Sequence, residues 1–167
     1  MKKVKLFALI IFILAISCAA ASAGDILEGV VSLGQDHVQM TWWLLAHMSE
    51  RASPETGAPT AIVRKYYTNV GIRNETIELL MSKFAIDPDV AGRLFFTEYR
   101  YIYSADHRTF AVGYIRHYNM VGVLIHGTEF DGSTPDTQLT WVGVIPDGPS
   151  GRALNEMRRR ENIPVPR

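Results

Sequence analysis

Histidine and carboxylate side chains between residues 117 and 131 form the most reactive combination in the sequence. His117 and His126 lie on segments that we predict to be neighbouring β-strands, so their rings are expected to meet across a sheet. Glu129 and Asp131 follow them, and a histidine beside a carboxylate is a common pair for general acid–base catalysis. These residues suggest a small hydrolase or isomerase. The alternative is that both histidines are partly buried and hydrogen-bonded to the backbone or to a tyrosine.

Metal ligands are poorly represented. None of the five histidines forms the His-x-x-x-His pair that brings two ligands to one helical face. Glu129, Asp131 and Asp136 offer oxygen ligands of the kind that calcium prefers. Their spacing matches no calcium-binding loop, however, and aspartate is an ordinary turn former. We therefore predict neither a metal ion nor any other cofactor.

Tyrosine and arginine alternate on the segment that begins near residue 95, where Tyr99, Tyr101 and Tyr103 occupy every second position. A tyrosine face buries apolar area while its hydroxyls remain hydrated, and arginine adds a fork that pairs with anions. The alternative is one face of a sheet that simply favours aromatic residues. The binding residues predicted from this pattern are Arg100, Arg116, Tyr99, Tyr101 and Tyr114, followed by His117 and His126.

Recognisable catalytic motifs are absent from the sequence. It contains neither the Gly-x-Ser-x-Gly nor the Ser-x-x-Lys signature of serine enzymes. It also contains no phosphate-binding loop and no dinucleotide-binding fingerprint. No catalytic residue is assigned, and a non-catalytic binding protein is preferred over the acid–base enzyme, which remains the alternative.

Helices are predicted for the first half of the chain. Apolar residues recur at three- and four-residue steps over residues 25–51, which is typical of an amphipathic helix. A second helix is predicted over residues 59–69, and a third from Asn74 as its N-cap. Asp87 and Pro88 are expected to begin a short helical turn.

Strands are predicted from about residue 94 onward, over residues 95–104, 109–119, 120–130 and 138–145. Phe110, Val112, Tyr114 and Tyr118 are expected on one face of the second of these strands. A short helix over residues 150–160 follows. The fold class is therefore α+β, with N-terminal helices packed on one face of a four-stranded antiparallel meander. The covered face is expected to be the one that carries valine and isoleucine.

The N-terminus has the order of a secretory signal peptide. Three lysines precede an unbroken apolar run over residues 6–16, and small residues follow up to Gly24. Ala23 and Gly24 flank the predicted cleavage site. A lipid anchor on Cys18 is the less favoured reading, because only a short segment before it resembles the lipobox of bacterial lipoproteins. An uncleaved membrane anchor is less favoured still, because the apolar run is short of the ~20 residues that span a bilayer.

The predicted organisation is a signal peptide over residues 1–23 and one globular domain over residues 24–167, with a basic, proline-containing tail at 152–167. Removal of the three N-terminal lysines leaves 14 basic against 17 acidic side chains, a balance that disfavours nucleic acid as a partner. Cys18 is the single cysteine, so the mature domain has no disulfide or thiolate site. The expected protein is periplasmic or secreted, has no membrane span after cleavage, and binds a small molecule or an envelope protein.

Export is directly testable. N-terminal sequencing of the exported protein should give Gly24, or a lipidated Cys18 if the lipoprotein alternative holds. Replacement of Ala23 by a bulky residue should leave the precursor uncut, because the signal peptidase accepts only small side chains near the cleavage site. Exported protein that still begins at Met1 would contradict both forms of the prediction.

Overall fold

The computed structural model describes residues 30–45, 59–129 and 139–161. The chain divides into two units, Met1–Val30 and Val31–Arg167, and nearly all of the described residues belong to the second. The predicted cleavage site, Cys18 and the acidic residues Asp131 and Asp136 lie outside the described residues.

The described part of the second unit is mostly β-structure. Its strands run antiparallel in a seven-stranded sheet, and the first six follow one another in chain order across it. Because each strand lies beside the next in sequence, short connections suffice. The strands are β1 (Val30–Gln35), β2 (Thr41–Leu45), β3 (Thr60–Tyr66), β4 (Leu94–Tyr103), β5 (Thr109–Asn119), β6 (Leu124–Glu129) and β7 (Val142–Gly143).

One edge of β5 is shared by two strands. Residues Tyr114–Tyr118 pair with β6, whereas Thr109 and Phe110 pair with Gly143 and Val142 of β7. The other edge of β5 pairs with β4 along nearly its whole length. The two ends of β5 therefore pair with different strands along the same edge.

Three helices interrupt or follow the described strands: α1 (Val70–Phe84), α2 (Pro88–Ala91) and α3 (Pro149–Glu161). Asn69 caps α1, because its side-chain oxygen accepts hydrogen bonds from the N–H groups of Gly71 and Ile72. Asp87 caps α2 in the same manner, and Pro88 occupies its first turn. α1 and α2 thus each follow a residue whose side chain satisfies free N–H groups of the first turn.

The main core lies between α3 and the sheet face that carries Tyr101 and Tyr103. Ala153, Leu154 and Met157 of α3 are buried against this face. The Tyr103 hydroxyl donates a hydrogen bond of 2.7 Å to the carbonyl oxygen of Ser150, so a fully buried side chain joins β4 to α3. α3 therefore covers the tyrosine face, which also carries Val63 and Val112.

The predicted helix over residues 25–51 is also wrong where the structure describes it, because β1 and β2 occupy this segment. Gly34 and Gln39 have positive φ angles, which an α-helix does not contain. Between them, Asp36 Oδ1 accepts hydrogen bonds from the N–H groups of Val38 and Met40 and so holds a tight turn. Trp42 and Leu44 then alternate inward along β2.

The predicted helix over residues 59–69 is likewise a strand, β3. Ala61 and Val63 are fully buried while Ile62 between them is not, which is the two-residue period of a strand. The expected fold of N-terminal helices on a four-stranded meander is therefore replaced by a larger sheet. The third helix exists, but it begins four residues before the predicted N-cap, Asn74, because Asn69 caps it instead.

The strands after residue 94 agree better with prediction. β5 has the predicted bounds, and β4 differs from its predicted range by one residue at each end. The shared face proposed for Phe110, Val112 and Tyr114 is wrong, because Gly113 is an extra residue on β5 between the pairs Tyr101–Val112 and Arg100–Tyr114. Such a bulge reverses the side-chain alternation, so Tyr114 points away from the core that Val112 contacts.

Among the described helices, none is both long enough and apolar enough to cross a membrane.

The hydrogen bond from Tyr103 to α3 leads to a stability prediction. The substitution Tyr103→Phe should lower the free energy of unfolding by about 1 kcal/mol, because a buried hydrogen bond is lost without loss of the ring. Ser82→Ala is a matched control, since the Ser82 hydroxyl also donates to a backbone carbonyl but is exposed. Urea denaturation of both variants should show a clear shift for Tyr103→Phe alone. Equal midpoints would show that the bond does not stabilise the docked helix.

Candidate functional site

The two histidines meet as the strand prediction requires. His117 of β5 lies directly opposite His126 of β6, and their rings stack with centroids 6.4 Å apart. The ring of Phe84, the last residue of α1, lies 4.1 Å from that of His126. The Nε2 atom of His126 is buried and has no hydrogen-bond partner among the described residues. The pair therefore sits in a largely apolar environment beneath the end of α1.

A buried chain of hydroxyl groups holds His117. Its Nδ1 atom is 2.9 Å from the Thr97 hydroxyl, which is 2.7 Å from the hydroxyl of Tyr67. Burial, together with the nearby His126 and Lys65, lowers the pKa of His117 to about 4. His117 is therefore neutral near pH 7 and serves as a partner of Thr97.

Glu129, one of the two carboxylates expected to assist these histidines, lies elsewhere, and the other, Asp131, is outside the described residues. Glu129 is on the opposite face of the sheet, where it forms an ion pair with Arg116. A general base needs hydrogen-bond contact with the group that assists it. The described structure therefore does not assemble the acid–base pair of Glu129 with either His117 or His126.

The opposite face carries its own charged network. Glu98 is buried there and accepts hydrogen bonds from Arg64 at 3.1 Å and from the Tyr114 hydroxyl at 2.9 Å. The guanidinium groups of Arg100 and Arg116 lie over the ring of Tyr114, at 5.4 and 4.4 Å from its centroid. Because Arg64 and Tyr114 already bind the Glu98 carboxylate, this network does not need a ligand to neutralise its buried charge.

The predicted binding residues do not form one surface. Tyr99 and Tyr101 face the core beneath the helices, whereas Arg100, Arg116 and Tyr114 lie on the other face of the sheet. Tyr101 is only 6% exposed. The structure therefore divides the predicted set between two faces, and the tyrosine ladder contributes mainly to the core.

Lys65 lies on the tyrosine face within an aromatic enclosure. Its ammonium nitrogen is 4.8 Å from the ring centroid of Tyr67, 5.5 Å from that of Tyr99 and 5.9 Å from that of Trp42. Burial lowers the pKa of Lys65, although the charge of Asp36 opposes this effect. The three rings thus hold a cation next to the core through cation–π contacts.

A cleft of about 480 Å³ opens at the side of the tyrosine face. Aromatic rings from β2, β4 and β5 line it, together with the residues that precede and begin α3 and the turn between β1 and β2. Its lining residues are Asp36, His37, Trp42, Tyr101, Phe110, Ile145, Asp147, Gly148, Pro149, Ser150 and Arg152. This volume lies within the range of roughly 300–1,000 Å³ that is usual for small-molecule sites.

Asp36 is the partly buried carboxylate in this cleft. Besides its two backbone hydrogen bonds, it accepts one of 2.8 Å from the indole N–H of Trp42. Burial alone would raise the pKa of Asp36. The hydrogen bonds from Met40, Trp42 and Val38 outweigh burial and lower it. Asp36 is therefore negatively charged at neutral pH and held rigidly against the aromatic lining.

Arg152 of α3 closes one wall of the cleft. Its guanidinium donates hydrogen bonds to the carbonyl oxygens of Leu33, Gln35 and Asp147. These bonds join β1 to the start of α3 and occupy donors that would otherwise bind a ligand anion. Arg152 is therefore primarily a structural part of the cleft wall.

The sequence pattern indicated Tyr101 as a binding residue but none of the other residues of this cleft. Its residues come from three separated segments, and no spacing within one segment connects them. Asp36 was the available signal, since aspartate favours a turn over a helix interior. Across the described ranges, no group of three or more histidine, cysteine or acidic side chains is placed to hold a metal ion.

The lowered pKa of His117 leads to a prediction about pH. The unfolded chain binds a proton near pH 6.5 but the folded protein only near pH 4, so stability is lost as the pH falls between these values. The loss should reach roughly 3 kcal/mol. His117→Gln should remove this part of the pH dependence, whereas His37→Gln, at an exposed position, should retain it. If the free energy of unfolding changes in parallel between pH 4 and 7 for the wild type, His117→Gln and His37→Gln, the assignment of this pH dependence to His117 is wrong.

No protein-family model matches the chain, and no curated protein or solved structure is similar to it.

Proposed function

We propose that this chain is an exported, non-catalytic binding protein whose ligand occupies the aromatic cleft. The proposed ligand is a small molecule with a flat apolar part and an amino group or another cation. The observation that supports this proposal is the placement of a charged, partly buried carboxylate, Asp36, beside three aromatic side chains in one cleft.

The aromatic lining accounts for the apolar part of the ligand. Trp42, Tyr101 and Phe110 come from three strands whose pairing and packing hold the rings in place. The rings of Tyr101 and Phe110 are themselves in edge contact, with centroids 4.9 Å apart. Because these side chains are already ordered, a flat ligand can gain contact area without immobilising them.

The charges of the cleft account for the amino group. Asp36 is charged and cannot move without breaking its bonds to the β1–β2 turn, and Asp147 is exposed among the lining residues. Arg152 directs its donors at backbone carbonyls, so it offers less to an incoming anion. Aromatic faces also attract cations. The cleft therefore favours an ammonium group over a carboxylate.

Export is part of the proposal because of the N-terminal pattern. The basic residues, the apolar run and the small residues up to Gly24 appear in the order that a secretory signal requires. A binding protein that is exported from the cytoplasm would encounter small molecules in the cell envelope, and it could bind them without catalysing a reaction.

Three probes that share a ring but differ in charge test the ligand class: benzylamine, benzyl alcohol and benzoate. Benzylamine should bind most tightly and shift the NMR signal of the Trp42 indole N–H, which is bonded to Asp36. Asp36→Asn should weaken benzylamine binding at least tenfold more than benzyl alcohol binding, because the negative charge is lost. The substitution also replaces one of the two acceptor oxygens that bind the turn and the Trp42 indole N–H, and this effect is common to both probes.

Glu75→Gln is the matched control, since it also removes one negative charge but at an exposed position on α1. It should leave the affinities for all three probes unchanged. Thermal melting of both variants establishes that they are folded. The ligand class is wrong if benzoate binds best, and the site is wrong if no probe perturbs the Trp42 signal.

A further inference from the structure

The tip of the β5–β6 hairpin presents apolar side chains to solvent. Met120 is 72% exposed, Val121 76%, Val123 59% and Leu124 51%. Phe95 of β4, which is 43% exposed, lines the same shallow depression as Met120 and Val121. Isolated exposed apolar residues are common, but a cluster at a protruding turn marks a contact surface.

The backbone of this tip is closed on itself. The side-chain oxygen of Asn119 accepts hydrogen bonds of 3.0 and 2.9 Å from the N–H groups of Val121 and Val123. The Asn119 carbonyl accepts another from Gly122, which has the positive φ angle that glycine tolerates, and the Val123 carbonyl accepts one from Asn119. The tip thus exposes apolar side chains while most of its N–H groups are already bonded.

This arrangement suits entry into a medium without water. A backbone N–H that leaves water unbonded costs free energy, and lipid offers it no partner. A protein partner would impose no such requirement, because its own polar groups could pair with a free N–H. The internal hydrogen bonds of the tip therefore lower the free-energy cost of moving it from water to a lipid surface.

Cationic side chains lie beside the apolar tip. Arg73 and Arg93 line the same depression as Phe95, Met120 and Val121. Arg73 is held there by hydrogen bonds to the carbonyl oxygens of Leu94 and Gly92, and Arg93 is exposed. Apolar side chains flanked by arginine match the boundary between acyl chains and anionic headgroups.

We infer that the β5–β6 tip is a membrane-contact site that inserts Met120, Val121 and Val123 into the interface of an anionic bilayer, with Arg93 paired to headgroup phosphates. The contact is peripheral, because only a few side chains enter. It is independent of the proposed cleft, which contains none of these residues.

A fluorophore at the tip tests this inference within the full chain. An environment-sensitive dye is attached to Val121→Cys in a Cys18→Ser background, so that the only thiol is at the tip. With phosphatidylglycerol vesicles the emission should shift to the blue, and vesicles of phosphatidylcholine should give a much smaller shift. Because the dye reports only its own surroundings, the result does not depend on what the N-terminal apolar run does.

The matched control places the dye at Val142→Cys in the same background. Val142 is also an exposed valine, but it pairs with Phe110 at the other end of β5. This dye should not shift with either vesicle. Adding Arg93→Gln to the tip-labelled protein should weaken its binding to phosphatidylglycerol vesicles severalfold, because an ionic contact with a headgroup is lost.

Several results would overturn the inference. Absence of a shift at position 121 with phosphatidylglycerol excludes insertion of the tip. Equal shifts with the two lipids exclude the role of anionic headgroups, and an equal shift at position 142 shows non-specific adsorption. A blue shift that rises with protein concentration in the absence of vesicles would instead identify the tip as a contact between two copies of the chain.

Discussion

Pairing of β4 with a strand on each side determines the surroundings of almost every notable side chain in this protein. β3 and β5 hold β4 in register from Phe96 onward, so its side chains from there to Tyr103 alternate between two faces. Tyr101 and Tyr103 consequently enter the core beneath α3, while Glu98 and Arg100 lie on the other side. β4 thus provides the Tyr101 ring of the cleft and, on the opposite face, the Glu98 carboxylate of the charged network.

The bulge at Gly113 extends this division to β5. A Cβ atom at this position would lie 2.6 Å from Arg100 Nε, so any larger residue would displace that guanidinium. Beyond the bulge, Tyr114 and Arg116 join the charged network around Glu98, whereas Val112 remains with the core. The bulge therefore places the charged and the apolar side chains of neighbouring strands on separate faces of the sheet, although the direction of the strands does not change.

In the second half of the sheet, β7 is much shorter than the strand predicted over residues 138–145, but β4 and β5 were accessible from the sequence because their apolar and aromatic residues alternate between clear turns. Thr109 to Asn119 illustrates this, since its predicted bounds are those of β5. The first half was not, because residues such as Trp42 and Leu45 fit a helical spacing as well as a strand. A local interaction decides in favour of two strands, because Asp36 accepts hydrogen bonds from N–H groups of its own turn. The spacing of apolar residues does not reveal these hydrogen bonds.

The cleft was harder to foresee, because it depends on contacts between distant segments. Trp42, Tyr101 and Phe110 each belong to a different strand, and each has an ordinary core explanation when considered alone. The pairing of His117 with His126 was foreseeable, since both lie on adjacent strands of a hairpin. Glu129, one of the two carboxylates proposed to assist them, was excluded only by the register, which places it on the opposite face.

The hydrogen bonds of Arg152 also determine when the cleft can form during folding. They connect α3 to the carbonyls of Leu33 and Gln35, which lie 119 and 117 positions earlier in the chain. Contacts over such separations form late, because the intervening chain must first be ordered. The strands β1 to β5 can pair with their sequence neighbours as the chain emerges. The cleft, in contrast, has to wait for the last helix, because Pro149, Ser150 and Arg152 of α3 form part of its lining.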